Sequence, residues 1–206
     1  GCKSGVVLTA SHNPKEYNGY KAYWTDGAQM VAPHDLNVMN EVQSISSIDD
    51  VHFERKEALV EIIGEDVDEA YLDEVKKISL FPDATEQDKS INIVFSSIHG
   101  TGITLVPKAL EMYGFKNVHI VEEQAEPNGN FPTVVYPNPE EKEALTMALN
   151  KAKEVDADLV MATDPDADRV GIAIKDNAGQ FVLMNGNQAA CLLVHYVLTA
   201  WEKAGK

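Results

Sequence analysis

Two short stretches hold side chains whose types and spacing could do chemistry. In Asp164-Pro-Asp-Ala-Asp-Arg169 three aspartates alternate one residue beyond the apolar run Leu159-Val-Met-Ala162. If their carboxylates converge at ~5 Å, each pair repels by on the order of 3 kcal/mol at an effective dielectric of ~20. A hard dication removes that cost, and oxygen donors suit Mg2+. A solvated acidic turn is the plainer alternative. The second stretch is Thr9-Ala-Ser-His-Asn-Pro14, which follows Val6-Val-Leu8. Pro14 biases Asn13 away from the helical region, so the chain turns here. Ser11 then sits at the end of a strand beside an imidazole, His12, and an amide, Asn13. A polar turn without chemistry is again the plain reading.

Other motifs fail residue by residue. An EF-hand counted from Asp164 needs glycine at its sixth position and glutamate at its twelfth, where Arg169 and Lys175 stand. A haloacid-dehalogenase-type phosphatase pattern needs Thr or Val where Asp168 stands, and stays as an alternative. His99-Gly-Thr-Gly102 lacks the third glycine of a dinucleotide loop, since position 105 is Leu. Those glycines read as backbone devices of a strand–helix turn.

The elements that must position these residues follow from periodicity. Strands are expected over residues 5–9, which read as buried, and over 20–24. Asp26-Gly27 then turns the chain before Gln29-Met-Val31. Pro33 opens a helix to about Ser46, with Leu36, Met39, Val42 and Ile45 at three-residue steps. A second helix spans Glu65 to Ile78, with Val67, Ala70, Tyr71, Val75 and Ile78 on one face. Phe81 to Ser90 reads as a loop. Strands at 91–95, 118–121 and 158–162 alternate with helices ending near Gly114 and running from Glu141 to Lys153. Val170–Ile174 and Phe181–Leu183 form a hairpin around Asn177-Ala-Gly179, and 186–204 is a helix. The fold class is therefore α/β, a mixed β-sheet layered with helices.

The chain has 206 residues, 44% apolar and 7% aromatic, enough for a real core. Its formal net charge of −16 speaks against nucleic acid or an anionic membrane as partners. The same charge repels phosphorylated substrates, so a phosphate site needs a local cation, and only Arg55 and Arg169 are arginines. Two cysteines, Cys2 and Cys191, make no disulfide framework or zinc spacing and fit a reducing, cytoplasmic setting. No apolar run approaches the length of a membrane span. Gly1-Cys2-Lys3 leads at once into a core-like strand, as expected of a chain that begins inside a domain.

Thr-Ala-Ser-His-Asn-Pro, then Tyr17-Asn-Gly-Tyr-Lys21, and later Asp-Pro-Asp-Ala-Asp-Arg together resemble the α-D-phosphohexomutases, the phosphoglucomutases and phosphomannomutases with related phosphopentomutases. The resemblance implies a four-domain isomerase that moves a phosphoryl group on a sugar phosphate. It works through a phosphoserine and a bisphosphate intermediate, with a glucose 1,6-bisphosphate-type activator. It implies that Ser11 carries the phosphoryl group and that Asp164, Asp166 and Asp168 hold Mg2+ together with that serine's phosphate. Arg169 would reach the same phosphate, and Lys21 would be general base or acid. His12 and Asn13 would orient groups near the phosphate. It further implies the end of a first domain at 1–62, a complete second domain at 63–184, and the opening helix of a third at 185–206. Such a fragment is expected to fold, to turn over no sugar phosphate, and to self-associate through its C-terminal helix. The wording around Tyr17–Met30 leans toward the phosphoglucomutase and phosphopentomutase branch.

Overall fold

The computed structural model describes residues 2–80 and 88–205. Most of the loop expected from Phe81 to Ser90 lies outside the described residues, and its end, Asp88–Ser90, is a 3-10 turn. The chain forms two units. One comprises Gly1–Ala10 and Asn18–Gly64, the other Ser11–Tyr17 and Glu65–Lys206.

In the first unit, β1 (Gly5–Leu8) pairs antiparallel with β2 (Tyr20–Tyr23), setting Val7 opposite Lys21. Thr9 N–H donates to the Gly19 carbonyl at 3.1 Å. A Cβ on Gly19 would run into the Thr9 carbonyl, so only glycine lets the two strands close at the base of the serine loop. The expected turn at Asp26-Gly27 is present, with Gly27 at φ 80°, and a single bridge joins Tyr23 and Gln29 beyond it. Helix α1 (His34–Ser44) follows. The expected burial of β1 is corrected here: Val6 is 51% and Leu8 72% exposed. The expected helix face of Leu36, Met39, Val42 and Ile45 is exposed as well. The reason is that none of this unit's described residues is buried, so its apolar residues have no core of their own to enter.

The second unit opens with α2 (Glu65–Lys77), whose expected apolar face is also largely exposed at Val67 and Tyr71. Its sheet comprises β3 (Ile93–Ser96), β4 (Val118–Ile120), β5 (Leu159–Thr163), β6 (Val170–Lys175) and β7 (Phe181–Met184), in the order β4-β3-β5-β6-β7. β3 runs parallel to both β4 and β5, whereas β5–β6 and β6–β7 are antiparallel. The expected mixed sheet is therefore present, with the hairpin turning at Gly179, whose φ is 75°. Helix α3 (Val106–Met112) precedes β4, and α4 (Thr146–Glu154) packs on β3 and β5. The helix expected from Glu141 starts five residues late. Asn138 caps the backbone of Glu140 and accepts from Glu141 in a turn, and Glu143 turns back to the Val135 N–H. The core is small-residue rich on the helix side, with Ala144, Ala148 and Ala152 fully buried against Val94, Val160 and Ala162. Helix α5 (Gly186–Lys203) ends the fold, started by a capping box between Asn185 and Gln188.

Gly171 in β6 lies where an added Cβ would meet the carbonyl and ring of Pro139. Gly171→Ala should cost about 1–3 kcal/mol through overpacking. Gly129→Ala, with nothing within 4 Å of its Cβ, should stay within about 0.5 kcal/mol of the parent. Urea titration of both variants checks this, and equal midpoints would refute the packing account.

Candidate phosphoryl-transfer site

β3 leads on to β4 on one side, and β5 lies on its other side, so the crevice between the carboxyl ends of β3 and β5 is a topological switch point. The register pairs Ser96 with Ala162, so the loops after the two strands leave side by side. One is Ser97–Gly102 and the other is the aspartate loop.

The aspartate loop is wound tightly. The Ala167 N–H donates to the Asp164 carbonyl at 3.0 Å, with Ala167 at φ 59°. The Arg169 N–H donates to Asp164 Oδ1 at 3.0 Å, and the Ser11 hydroxyl donates to Asp164 Oδ2 at 3.0 Å. Both oxygens of a fully buried carboxylate are thus engaged. His12 Nδ1 lies 3.1 Å from Ser11 Oγ, and Ser11 itself has φ 54°. Oxygens of Asp164, Asp166 and Asp168 all lie within 4.8 Å of one another, the one such cluster among the described residues. Burial first, then the neighbouring Asp166 carboxylate, push the Asp164 carboxyl up to about 6, against the pull of the Arg169 N–H and Ser11 hydroxyl.

These donors fit a divalent cation. They are all oxygen and close enough to share one ion, and the raised Asp164 carboxyl marks a buried negative charge that a cation would favour.

Of the residues singled out in the sequence, the second unit brings together Ser11, His12, Asp164, Asp166, Asp168 and the backbone of Arg169. Asn13 is exposed on the same loop, and the Arg169 residue is exposed. Lys21 belongs to the first unit, on β2. The glycines of His99-Gly-Thr-Gly102 act as expected, through backbone closeness. A Cβ at Gly100 would meet Pro165, and one at Gly102 would meet the Thr163 side chain and, at 3.6 Å, the Ala167 Cβ. Sequence reasoning missed the polar chain of buried Ser96, Gln124 and His99 with half-buried Thr133 behind this turn. Its only sequence signal is the polar pair Ser96-Ser97 ending an apolar strand.

Comparison with known proteins decides the family. Residues 69–179 match the family described as "Phosphoglucomutase/phosphomannomutase, alpha/beta/alpha domain II", and residues 1–49 match its domain I. The chain belongs to the phosphoglucomutase/phosphomannomutase family. It is 37% identical over 199 residues to a phosphoglucomutase of Staphylococcus haemolyticus, covering 95% of this chain and 36% of that one. It is 34% identical over 206 residues to the human phosphopentomutase, covering 97% of this chain and 33% of that one. The structure of a phosphomannomutase-type protein from Thermus thermophilus superposes with a TM-score of 0.69 at 26% identity, covering 96% of this chain and 41% of that one. The chain thus spans between a third and two fifths of the length of these phosphohexomutase relatives.

In this family member the raised Asp164 carboxyl has a stability consequence. The folded state holds that proton more tightly than the unfolded state does. Asp164 therefore favours folding at low pH, and the benefit is lost as pH rises from 3.8 through about 6. Asp164→Asn should accordingly stabilise the metal-free chain above pH 7, with the gain shrinking below pH 5. Thermal melts across pH check it, and a pH-independent difference would refute the assignment.

Proposed function

We propose that the chain is the serine- and metal-bearing part of a phosphosugar mutase that moves a phosphoryl group between the C1 and C6 hydroxyls of a hexose phosphate. The observation that supports this is the 3.0 Å hydrogen bond joining Ser11 Oγ to a carboxylate of the three-aspartate cluster, from residues 153 positions apart. A plain cation-binding module has no need of a serine hydroxyl there.

In the forward half-reaction the phosphoserine Oγ–P bond breaks, Ser11 Oγ leaves and takes up a proton from solvent, and a bond forms from the sugar hydroxyl oxygen to phosphorus. The hydroxyl proton passes to a base, for which we assign Lys21 by its position in the serine motif. The bisphosphate then reorients, its other sugar O–P bond breaks as Ser11 Oγ bonds to that phosphorus, and the freed sugar oxygen takes a proton from protonated Lys21 while the Ser11 hydroxyl proton passes to solvent. Asp164, Asp166 and Asp168 would hold Mg2+, which when bound neutralises the phosphoserine and polarises its phosphorus. The Ser11–Asp164 bond orients the hydroxyl when the phosphoryl group is on the sugar. His12 then keeps the Oγ within a polar shell, with Asn13 beside it. Arg169, anchored by its own backbone on Asp164 Oδ1, offers a planar fork to the equatorial oxygens in transfer.

A glucose 1,6-bisphosphate-type activator would load Ser11. Pentose phosphate is a second substrate reading, supported by the 34% identity to human phosphopentomutase. We also assign 1–62, 63–184 and 185–206 to the first, second and third domains of such an enzyme, in a cytoplasmic setting. No helix among the described residues is long and apolar enough to cross a membrane. The exposed Leu193, Val194, Leu198 and Trp201 of α5 support self-association of the isolated chain, which sedimentation checks as a rising mass with concentration.

Incubation with Mg2+ and glucose 1,6-bisphosphate, followed by peptide mass spectrometry, tests the carrier. In an enzyme of the relatives' full length, phosphate should appear on Ser11 in the parent, and be absent from Ser11→Ala and Asp166→Ala. Phosphate elsewhere in the chain, or undiminished labelling of Ser11→Ala, would overturn the reading. In an enzyme containing the whole relative length, Arg169→Lys should lower kcat by about a hundredfold with folding intact, since a point charge replaces the fork.

A further inference from the structure

The buried polar chain behind the aspartate loop takes no part in the transfer steps above. Ser96 and Gln124 are fully buried, and His99 is 5% exposed. Its bonds run in one direction. The Ile98 N–H donates to Ser96 Oγ at 3.0 Å, and the Ser96 hydroxyl donates to Gln124 Oε1 at 2.6 Å. Gln124 Nε2–H donates to Thr133 Oγ1 at 3.0 Å, leaving the Thr133 hydroxyl hydrogen for His99 Nε2 at 2.9 Å. His99 Nδ1 lies 3.1 Å from the Glu126 carbonyl, which only accepts, so Nδ1 carries the ring proton. With a neutral ring, every member is satisfied, the condition under which a buried polar chain rigidifies its surroundings.

What it rigidifies is a turn that local sequence does not favour. Ile98 and His99 have φ of 47° and 58°, a left-handed conformation disfavoured for side-chain-bearing residues and most of all for a β-branched one. The backbone of His99 is tied on both sides, its N–H to the Gln124 carbonyl and its carbonyl to the Asn128 N–H, each at 2.9 Å. The next two residues abut the aspartate loop. Gly100 leaves no room for a Cβ beside Pro165. The Thr101 N–H and hydroxyl both donate to the Pro165 carbonyl, at 2.9 and 3.0 Å.

We propose that His99 and Thr133 are positioning residues: they lock the 97–101 turn in its left-handed form and thereby hold Pro165 and the spacing of the three aspartates. The lock stands on the bonds above. Its purpose, keeping the carboxylates ready for a cation, rests on the proposed function.

Amide hydrogen exchange by NMR on the full chain tests the lock. Thr133→Val removes the hydroxyl at constant shape. It should speed exchange of the Thr101 and Arg169 amides by about tenfold, the equivalent of one lost buried hydrogen bond. Val94 and Val160 in the sheet should exchange as in the parent, and Thr133→Ser should restore the loop. Should Thr133→Val not fold, His99→Asn keeps a residue tolerant of the left-handed region, loses the ring bonds, and should give the same local signature. Unchanged loop exchange, or acceleration shared equally by the sheet, overturns the proposal. Mn2+ titration separates the two readings. Its dissociation constant should rise several-fold in the same variant, whereas binding by Asp166→Ala equal to the parent would sink the metal site and leave the exchange result to decide the lock.

Discussion

Three carboxylates drawn within 4.8 Å of one another are the constraint on which the second unit turns. Left to itself such a cluster spreads, because separation and water both relieve the repulsion. It stays together through fixed backbone. β5 delivers Asp164 to the carboxyl end of the sheet, Pro165 stops the loop from winding into a helix, and Ala167 turns it through a left-handed residue. Burying Asp164 completely would be costly without hydrogen bonds, and both its oxygens have them. The raised Asp164 carboxyl is what remains of that cost, which a bound cation would remove.

Rigidity of this kind needs a core, and among the described residues only the second unit has one. Ala148 and Ala152 bring α4 close to β3 and β5, with Ala144 buried just before it, so the strands that carry both loops are clamped from the helix side. Fully buried side chains such as Val94, Ile98 and Val160 contribute about 1.5–3 kcal/mol each in transfer terms, an upper estimate. The first unit has nothing comparable among its described residues; local ladder bonds and turns define it. The serine loop is therefore informative in where it groups. Residues 11–17 cluster with the cored unit although the strands on either side of them do not.

Much of this was legible in the sequence, for reasons that are local. The alternation of short β-branched runs with helical periods gives the mixed sheet, and Asn177-Ala-Gly179 gives its hairpin. The Asp-x-Asp-x-Asp spacing marks the three carboxylates whose oxygens converge within 4.8 Å. Burial was not legible: Val6, Leu8, Leu36 and Met39 have the hydrophobicity of core residues, but hydrophobicity says only that a residue would gain from burial, not that a partner surface exists. The late start of α4 was hidden for a different reason. Glu141–Leu145 has good helix formers, and it is tertiary and turn bonding around Asn138 and Glu143 that diverts them.

The polar chain was least legible because each member has an ordinary local role. Ser96 ends a strand, Gln124 follows another, and Thr133 sits in a turn; nothing in their spacing of 28 and 9 residues marks them as partners. The same holds for Ser11 and Asp164 across 153 residues. Closing a long loop costs only about 0.6 kcal/mol for each doubling of its length, so sequence distance is a weak barrier to such pairs. What decides whether they form is how well both ends are already fixed. Asp164 is fixed by the sheet and by the turn that His99 holds against Pro165, which leaves the serine loop as the partner that must be ordered for the Ser11–Asp164 bond to form.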